Sequence, residues 1–151
     1  MENITFDSGI RTYKINGSGV LRFNPADPNL YSRFFDAADK LREIEKELEE
    51  EGKNRGEEPL NGEMIVRLMA SADKKAKRIL ADVFDKGNDF DQVFGGVNVL
   101  AVAGNGERVI TNFIEAIIPI IQEGAESCAN MHIASAKKEA EAMRTERTAG
   151  K

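Results

Sequence analysis

Residues 12–23 read TYKINGSGVLRF and predict a β-hairpin at the start of an otherwise helical chain. Tyr13 and Ile15 alternate with polar residues before the turn, and Leu21 and Phe23 flank Arg22 after it. Alternation of this kind is typical of half-buried strands, and the intervening Asn-Gly pair tolerates the positive φ angles of a tight turn. The four apolar side chains should therefore share the buried face of the hairpin.

The whole of residues 1–25 has this β-like pattern. Ile4 to Phe6, followed by the turn residues Asp-Ser-Gly, predict a third short strand. The region is then a hairpin or a small antiparallel sheet. Because two strands are barely stable alone, a helix must cover it.

Two amphipathic helices are predicted next, over residues 27–50 and 63–86. Asp27 and Pro28 supply a capping carboxylate and a preset first helical residue. Apolar residues recur at helical spacing in both segments, which predicts that the two helices pair. The first stripe is Leu30, Phe34, Ala37, Leu41, Ile44 and Leu48, and the second is Ile65, Leu68, Ala72, Ala76, Ile79 and Val83.

The connections between helices carry glycine and charge. Residues 51–62 contain three Gly, one Pro and many charged residues, which predicts a mobile connector. Residues 89–94 predict a short helix closed by Gly95-Gly96. Residues 97–103 fit either a strand or a buried helix, and their small side chains favour the helix.

A long apolar helix is predicted over residues 107–136, and Pro119 should kink it or divide it. The charged residues 137–151 have few apolar anchors, which predicts a flexible tail. We therefore expect a single domain over residues 1–136. Its class is mainly α, an α+β arrangement of an N-terminal hairpin or small sheet followed by three to five helices.

The apolar helix is the first candidate for an interaction surface, because its central part is apolar nearly all round. Such a segment is either the centre of the core or a surface for another subunit. Packing of all the stripes inside one monomer remains the alternative. The stripe over residues 30–48 is the second candidate. The preferred interface residues are Phe113, Ile114, Ile117, Ile118 and Ile121.

Composition argues against nucleic-acid and membrane partners. The formal net charge is −5 at pH 7, whereas nucleic-acid binders usually carry a basic stripe. The longest apolar stretch, residues 113–121, is far shorter than the roughly 20 residues that span a bilayer. Residues 1–25 lack the pattern of a signal peptide, and the single cysteine cannot form an internal disulfide. These observations predict a cytoplasmic protein.

No catalytic, cofactor or metal site is predicted. Cys128 and His132 share a helical face, but two ligands do not complete a zinc site. Gly104-Asn105-Gly106 precedes a helix, yet it lacks the further residues of a dinucleotide or phosphate loop. An ordinary turn is the simpler interpretation.

Two segments together carry a family resemblance: YKINGSG at residues 13–19, leading into FNPAD at 23–27, and VFGGVNV at 93–99, followed by the apolar residues 113–121. Across roughly residues 12–125 the chain resembles small proteins encoded in the tail modules of phages and prophages of Gram-positive bacteria, a group similar to the tail assembly chaperones. The motifs are turns and helix starts, and none is a catalytic signature.

The resemblance implies a non-enzymatic protein, made in the bacterial host cell, that covers the apolar tape measure protein or recruits tail tube subunits. It also implies a homo-oligomer. A structural virion component, such as a head-tail connector or minor tail protein, is the first alternative. An enzyme or small-ligand-binding protein with a pocket near residues 95–106 is the second.

Overall fold

The computed structural model describes residues 1–54, 62–84 and 86–149. Its elements, in chain order, are β1 Arg11–Ile15, β2 Gly19–Phe23, α1 Pro28–Asn54, α2 Gly62–Val83, α3 Phe90–Val93 and α4 Val109–Ala149. The predicted class, a hairpin followed by helices, is confirmed. Most of the predicted connector, residues 55–61, lies outside the described residues.

The hairpin forms as the sequence predicted. β1 and β2 are antiparallel with Tyr13 opposite Leu21, and Asn16 and Gly17 take φ angles of 49° and 84° in the turn. Leu21 and Phe23 are buried, and Phe23 stacks on Tyr13 with ring centroids 4.8 Å apart. The predicted third strand is wrong, because residues 1–10 form no strand.

The outer edge of β2 is paired with a side chain instead. The amide of Asn88 accepts a hydrogen bond from the backbone N–H of Arg22 and donates one to its carbonyl, both at 2.8 Å. One asparagine thus takes the hydrogen bonds that a further strand would have made at this position.

α1 and α2 pack against each other along the predicted stripes. The Asp27 carboxylate accepts the backbone N–H of Asn29 at 2.9 Å, which is the expected cap. The buried positions of α1 are Leu30, Ala37, Leu41 and Ile44, and those of α2 include Ala72, Ala76, Leu80 and Val83. Ile65 departs from the predicted stripe, since it is exposed near the start of α2.

Residues 97–103 are neither strand nor helix, so the helix favoured from sequence is wrong. The segment combines a local turn, in which the Ala101 N–H donates to the Asn98 carbonyl, with hydrogen bonds to other parts of the chain. The Val99 N–H donates to the Asp73 carboxylate at 2.8 Å, and the Val99 carbonyl accepts from the Ile110 N–H. Val102 forms an isolated bridge with Arg108.

α4 is one continuous helix, so of the two outcomes predicted at Pro119, a kink or a division, the division is wrong. Pro119 is exposed, so water can satisfy the carbonyl that loses its helical hydrogen bond. The predicted boundary at residue 136 does not coincide with a helix end, because α4 continues to Ala149. Residues 109–128 alternate between buried and exposed, whereas residues 129–146 are all exposed. We call these parts the proximal and distal halves of α4, the latter being residues 129–149.

Candidate binding cleft

An open cleft of about 430 Å³ lies between β1 and the proximal half of α4. Most of its lining is apolar, and the polar side chains among the lining residues are those of Lys14, Asn16 and Asn112, together with the hydroxyl-bearing Tyr13. The residues that line it are Tyr13, Lys14, Ile15, Asn16, Phe94, Ala103, Val109, Asn112, Phe113, Ala116, Ile117 and Ile120. This volume falls within the roughly 300–1,000 Å³ of small-molecule and side-chain binding pockets.

Aromatic packing fixes the inner wall of the cleft. Phe113 meets Phe94 edge-to-face with centroids 5.0 Å apart, and it meets Phe84 in the same way at 6.2 Å. Phe84 in turn contacts Phe23 at 5.2 Å, which stacks on Tyr13. Each such contact contributes about 0.5–1.5 kcal/mol beyond area burial. A continuous series of rings therefore joins the two sides of the cleft.

A loop held against α4 forms the rim. Asn105 and Asn112 exchange two amide hydrogen bonds, at 2.9 and 3.1 Å. The N–H of Ala103 donates to the Glu107 carbonyl at 2.7 Å. The Asn105–Asn112 pair ties the loop to the first turns of α4, and the Ala103–Glu107 bond closes the loop, so that Ala103 lies in the lining of the cleft.

A second polar cluster lies outside the cleft and holds together the elements that surround it. The Lys77 ammonium contacts carboxylates of Asp73 at 2.9 Å and Asp91 at 2.8 Å. Burial alone would lower the pKa of Lys77, but its hydrogen bonds and charge interactions with the two aspartates outweigh this effect and raise the pKa. Lys77 thereby joins α2 to α3, and Asp73 joins α2 to Val99.

The predicted interface residues divide into two groups. Phe113, Ile117 and Ile121 are buried in the core, with only 8, 3 and 7% of their surfaces exposed. Ile114 and Ile118 are half-buried. Phe113 and Ile117 form part of the cleft lining, and the other three residues do not. The five side chains therefore do not form one accessible patch on the single chain.

Sequence reasoning missed Ile15, Phe94, Ala116 and Ile120 as parts of this site. Ile15 was expected on the buried face of the hairpin, and Phe94 in a short helix. Neither sequence pattern shows which distant element packs against Ile15 or Phe94. The adjacency of β1 and α4 is a tertiary fact, and no local signal in the sequence carries it.

The other candidate sites have structural explanations. Within the described ranges, no group of three His, Cys, Asp or Glu residues could hold a metal ion, and His132 is exposed. In the loop at residues 104–106, the N–H of Gly106 donates to the carbonyl of Ala103. The next amide, that of Glu107, donates to the Asn105 side chain at 3.1 Å. Two of the amides expected at an anion site are thus already used by the turn.

The chain has no match among protein-family models, curated proteins or solved structures. In the part of the chain that the structure describes, no helix is both long enough and apolar enough to cross a membrane.

Proposed function

We propose that this chain is a non-enzymatic phage tail assembly chaperone that binds an apolar helical segment of the tape measure protein in the cleft between β1 and α4. The observation that carries the proposal is the cleft itself, an open apolar depression beside the helix that the sequence analysis singled out. The resemblance to tail-module proteins supplies the client. Tail tube subunits are the second candidate client for the same cleft.

The geometry suits recognition of a helix by its side chains. An amphipathic helix inserts anchors spaced at i, i+3, i+4 and i+7 into apolar grooves. A cleft of about 430 Å³ is too small for a whole helix, but it accommodates one or two such anchors. Burial of the anchors contributes about 25 cal/mol per Å² of apolar area. Lys14 and Asn16, which line the cleft, can bond the polar residues that flank the anchors.

The test uses a residue that lines the cleft without belonging to the core. Ala116 is exposed at the cleft, so Ala116→Trp should fill it while leaving the packing intact. Ile117 is unsuitable, because a charge at this buried position would disturb folding. Ala134→Trp, on the exposed distal half of the same helix, is the matched control.

The chain is co-expressed with the tape measure protein of the same tail module, and complexes are measured by size exclusion with light scattering. Wild type and Ala134→Trp should co-elute with the client, whereas Ala116→Trp should not. Retention of the complex by a folded Ala116→Trp chain would refute the cleft as the client site. The absence of any complex with the wild-type chain would refute the chaperone proposal.

The exposed residues 129–146 of α4 support one second candidate, a structural component that remains in the virion and contacts its neighbours through this helix. Immunoblotting of purified virions separates the two candidates, since a chaperone leaves before the tail is complete. Both candidates would be made and assembled in the cytoplasm of the bacterial host cell.

A further inference from the structure

The distal half of α4 carries an apolar seam that none of the residues described in the structure covers. Every residue from 129 to 146 is exposed, although Ile133 and Met143 are large apolar side chains with 54 and 64% of their surfaces accessible. A single helix of this kind lacks the tertiary packing that supplies most helical stability in proteins. A partner that covers the seam would provide that packing.

The seam has the spacing of a coiled coil. Its members follow one another at intervals of four, three, four and three residues, namely Ala129, Ile133, Ala136, Ala140 and Met143. In heptad terms Ile133 and Ala140 occupy positions a, and the other three occupy positions d. The seam begins where α4 leaves the body of the protein, since Gln122 and Glu126 would occupy the preceding d and a positions.

The charged residues beside the seam indicate which partner would cover it. Glu139 and Glu146 fall at g positions, after His132 at the first of them. Lys137 and Arg144 fall at e positions, after Asn130 at the first of them. In a parallel pair, each g residue lies near the e residue five positions later in the partner. Glu139 then faces Arg144 of the second copy, and this contact occurs twice in a dimer.

An antiparallel pair of the same helices would be disfavoured. In that arrangement g residues face g residues and e residues face e residues. With Ile133 opposite Met143, Glu139 faces Glu139 and Lys137 faces Lys137. Like charges in such positions are destabilising. The contact of opposite charges between Glu139 and Arg144 therefore belongs to the parallel orientation.

We propose that the distal half of α4 forms a parallel two-stranded coiled coil with a second copy of this chain. Alanine at three of the five seam positions lets the two helices approach closely, while Ile133 and Met143 contribute most of the buried apolar area. The proposal does not depend on the cleft or on its client. It would place two clefts on one dimer, with both bodies at the same end of the coiled coil.

The first test compares two methionines of similar exposure on the same helix. Met143 lies on the seam, and Met131, with 73% of its surface exposed, lies at the f position on the opposite side. The dissociation constant of the full-length dimer is measured by sedimentation over a range of concentrations. Met143→Glu should raise it by about tenfold or more, because a carboxylate would enter the seam from each chain. Met131→Glu should leave it unchanged.

The second test addresses orientation. Glu139→Lys should weaken the dimer, and adding Arg144→Glu to the same chain should restore it, because exchange of the two charges recreates the pairs only in a parallel arrangement. Met143→Cys, placed in a Cys128→Ser background, should form a disulfide between copies. In an antiparallel pair, a positions face d positions, so position 143 would face Ile133 and lie about 15 Å from its counterpart.

Three results would overturn the proposal. A chain that stays monomeric at every concentration would refute the association. Equal effects of the Met131 and Met143 substitutions would refute the seam. A dimer that fails to cross-link at position 143 would refute the parallel orientation.

Discussion

Substitution of Gly124 by alanine should destabilise the protein, although alanine is the better helix former. Gly124 is buried where α4 crosses the turn before α1, and an added Cβ would overlap the carbonyl group of Pro25. That carbonyl cannot move away easily, because it accepts a hydrogen bond from the Tyr31 hydroxyl at 2.7 Å. The methyl group would therefore have to displace backbone, and not the end of a flexible side chain.

Two opposing terms decide the magnitude. Helix propensity favours alanine over glycine by about 1 kcal/mol. Overpacking costs about 1–3 kcal/mol, and contact with fixed backbone belongs at the upper end of that range. We expect a net loss of roughly 1–2 kcal/mol in the free energy of unfolding. For a chain of this size the melting temperature should fall by roughly 2–8 °C.

Urea denaturation followed by circular dichroism measures the loss, and thermal melting checks it. Ser127→Ala is the control, since Ser127 is exposed on the same helix and its replacement changes only the helix propensity. Its free energy of unfolding should rise slightly. If Gly124→Ala stabilises the chain to the same extent as the control, the close approach of α4 to Pro25 is not real and the reasoning fails.

Further predictions concern the packing around α3. Gly19→Ala should lower stability by about 1–3 kcal/mol in urea denaturation, because the new Cβ would lie 2.8 Å from the Val93 carbonyl oxygen; an unchanged unfolding midpoint would contradict this contact. Lys77→Met should cost roughly 1–3 kcal/mol in the same assay by leaving the half-buried Asp73 carboxylate without its counter-ion, and a neutral result would show that the ion cluster is dispensable. Because the pKa of Lys77 is raised on folding, its stabilisation is complete below the unfolded-state pKa of about 10.4 and is lost as pH rises through the higher folded value. The alkaline fall in wild-type stability should therefore be smaller in Lys77→Met, as pH-dependent urea titrations can measure.

Local signals in the sequence were sufficient for the hairpin and for the two amphipathic helices. The Asn-Gly turn, the Asp27-Pro28 start and the heptad stripes each depend on neighbouring residues, and the structure has a hairpin and helices at these places. The helix predicted for residues 97–103 is wrong because distant residues, and not neighbouring ones, decide the conformation of this segment. Val99 bonds to Asp73 and Ile110, and the Ala101 carbonyl accepts from Val109, and no local periodicity could show this.

The candidate site was predictable in part. The apolar character of residues 113–121 marked the right helix, but a segment that is apolar nearly all round does not show which face is buried. The structure assigns Phe113 and Ile117 to the core and the cleft, and Ile121 to the core. Ile15 completes the cleft from β1, which lies about a hundred residues earlier in the chain.

The positions of the two tyrosines make the protein suitable for label-free spectroscopy. The chain has two Tyr and no Trp, so all of its near-ultraviolet tyrosine signal comes from two sites. Tyr13 lines the cleft, and Tyr31 lies under the Pro25 turn that α4 crosses. Burial, followed by the nearby charges of Cys128 and Asp27, raises the pKa of Tyr31, so its phenolate absorbance should appear late in an alkaline titration. Tyrosine fluorescence from a Tyr31→Phe chain would then report occupancy of the cleft alone. Tyrosine fluorescence from a Tyr13→Phe chain would report the packing of α4 against the Pro25 turn.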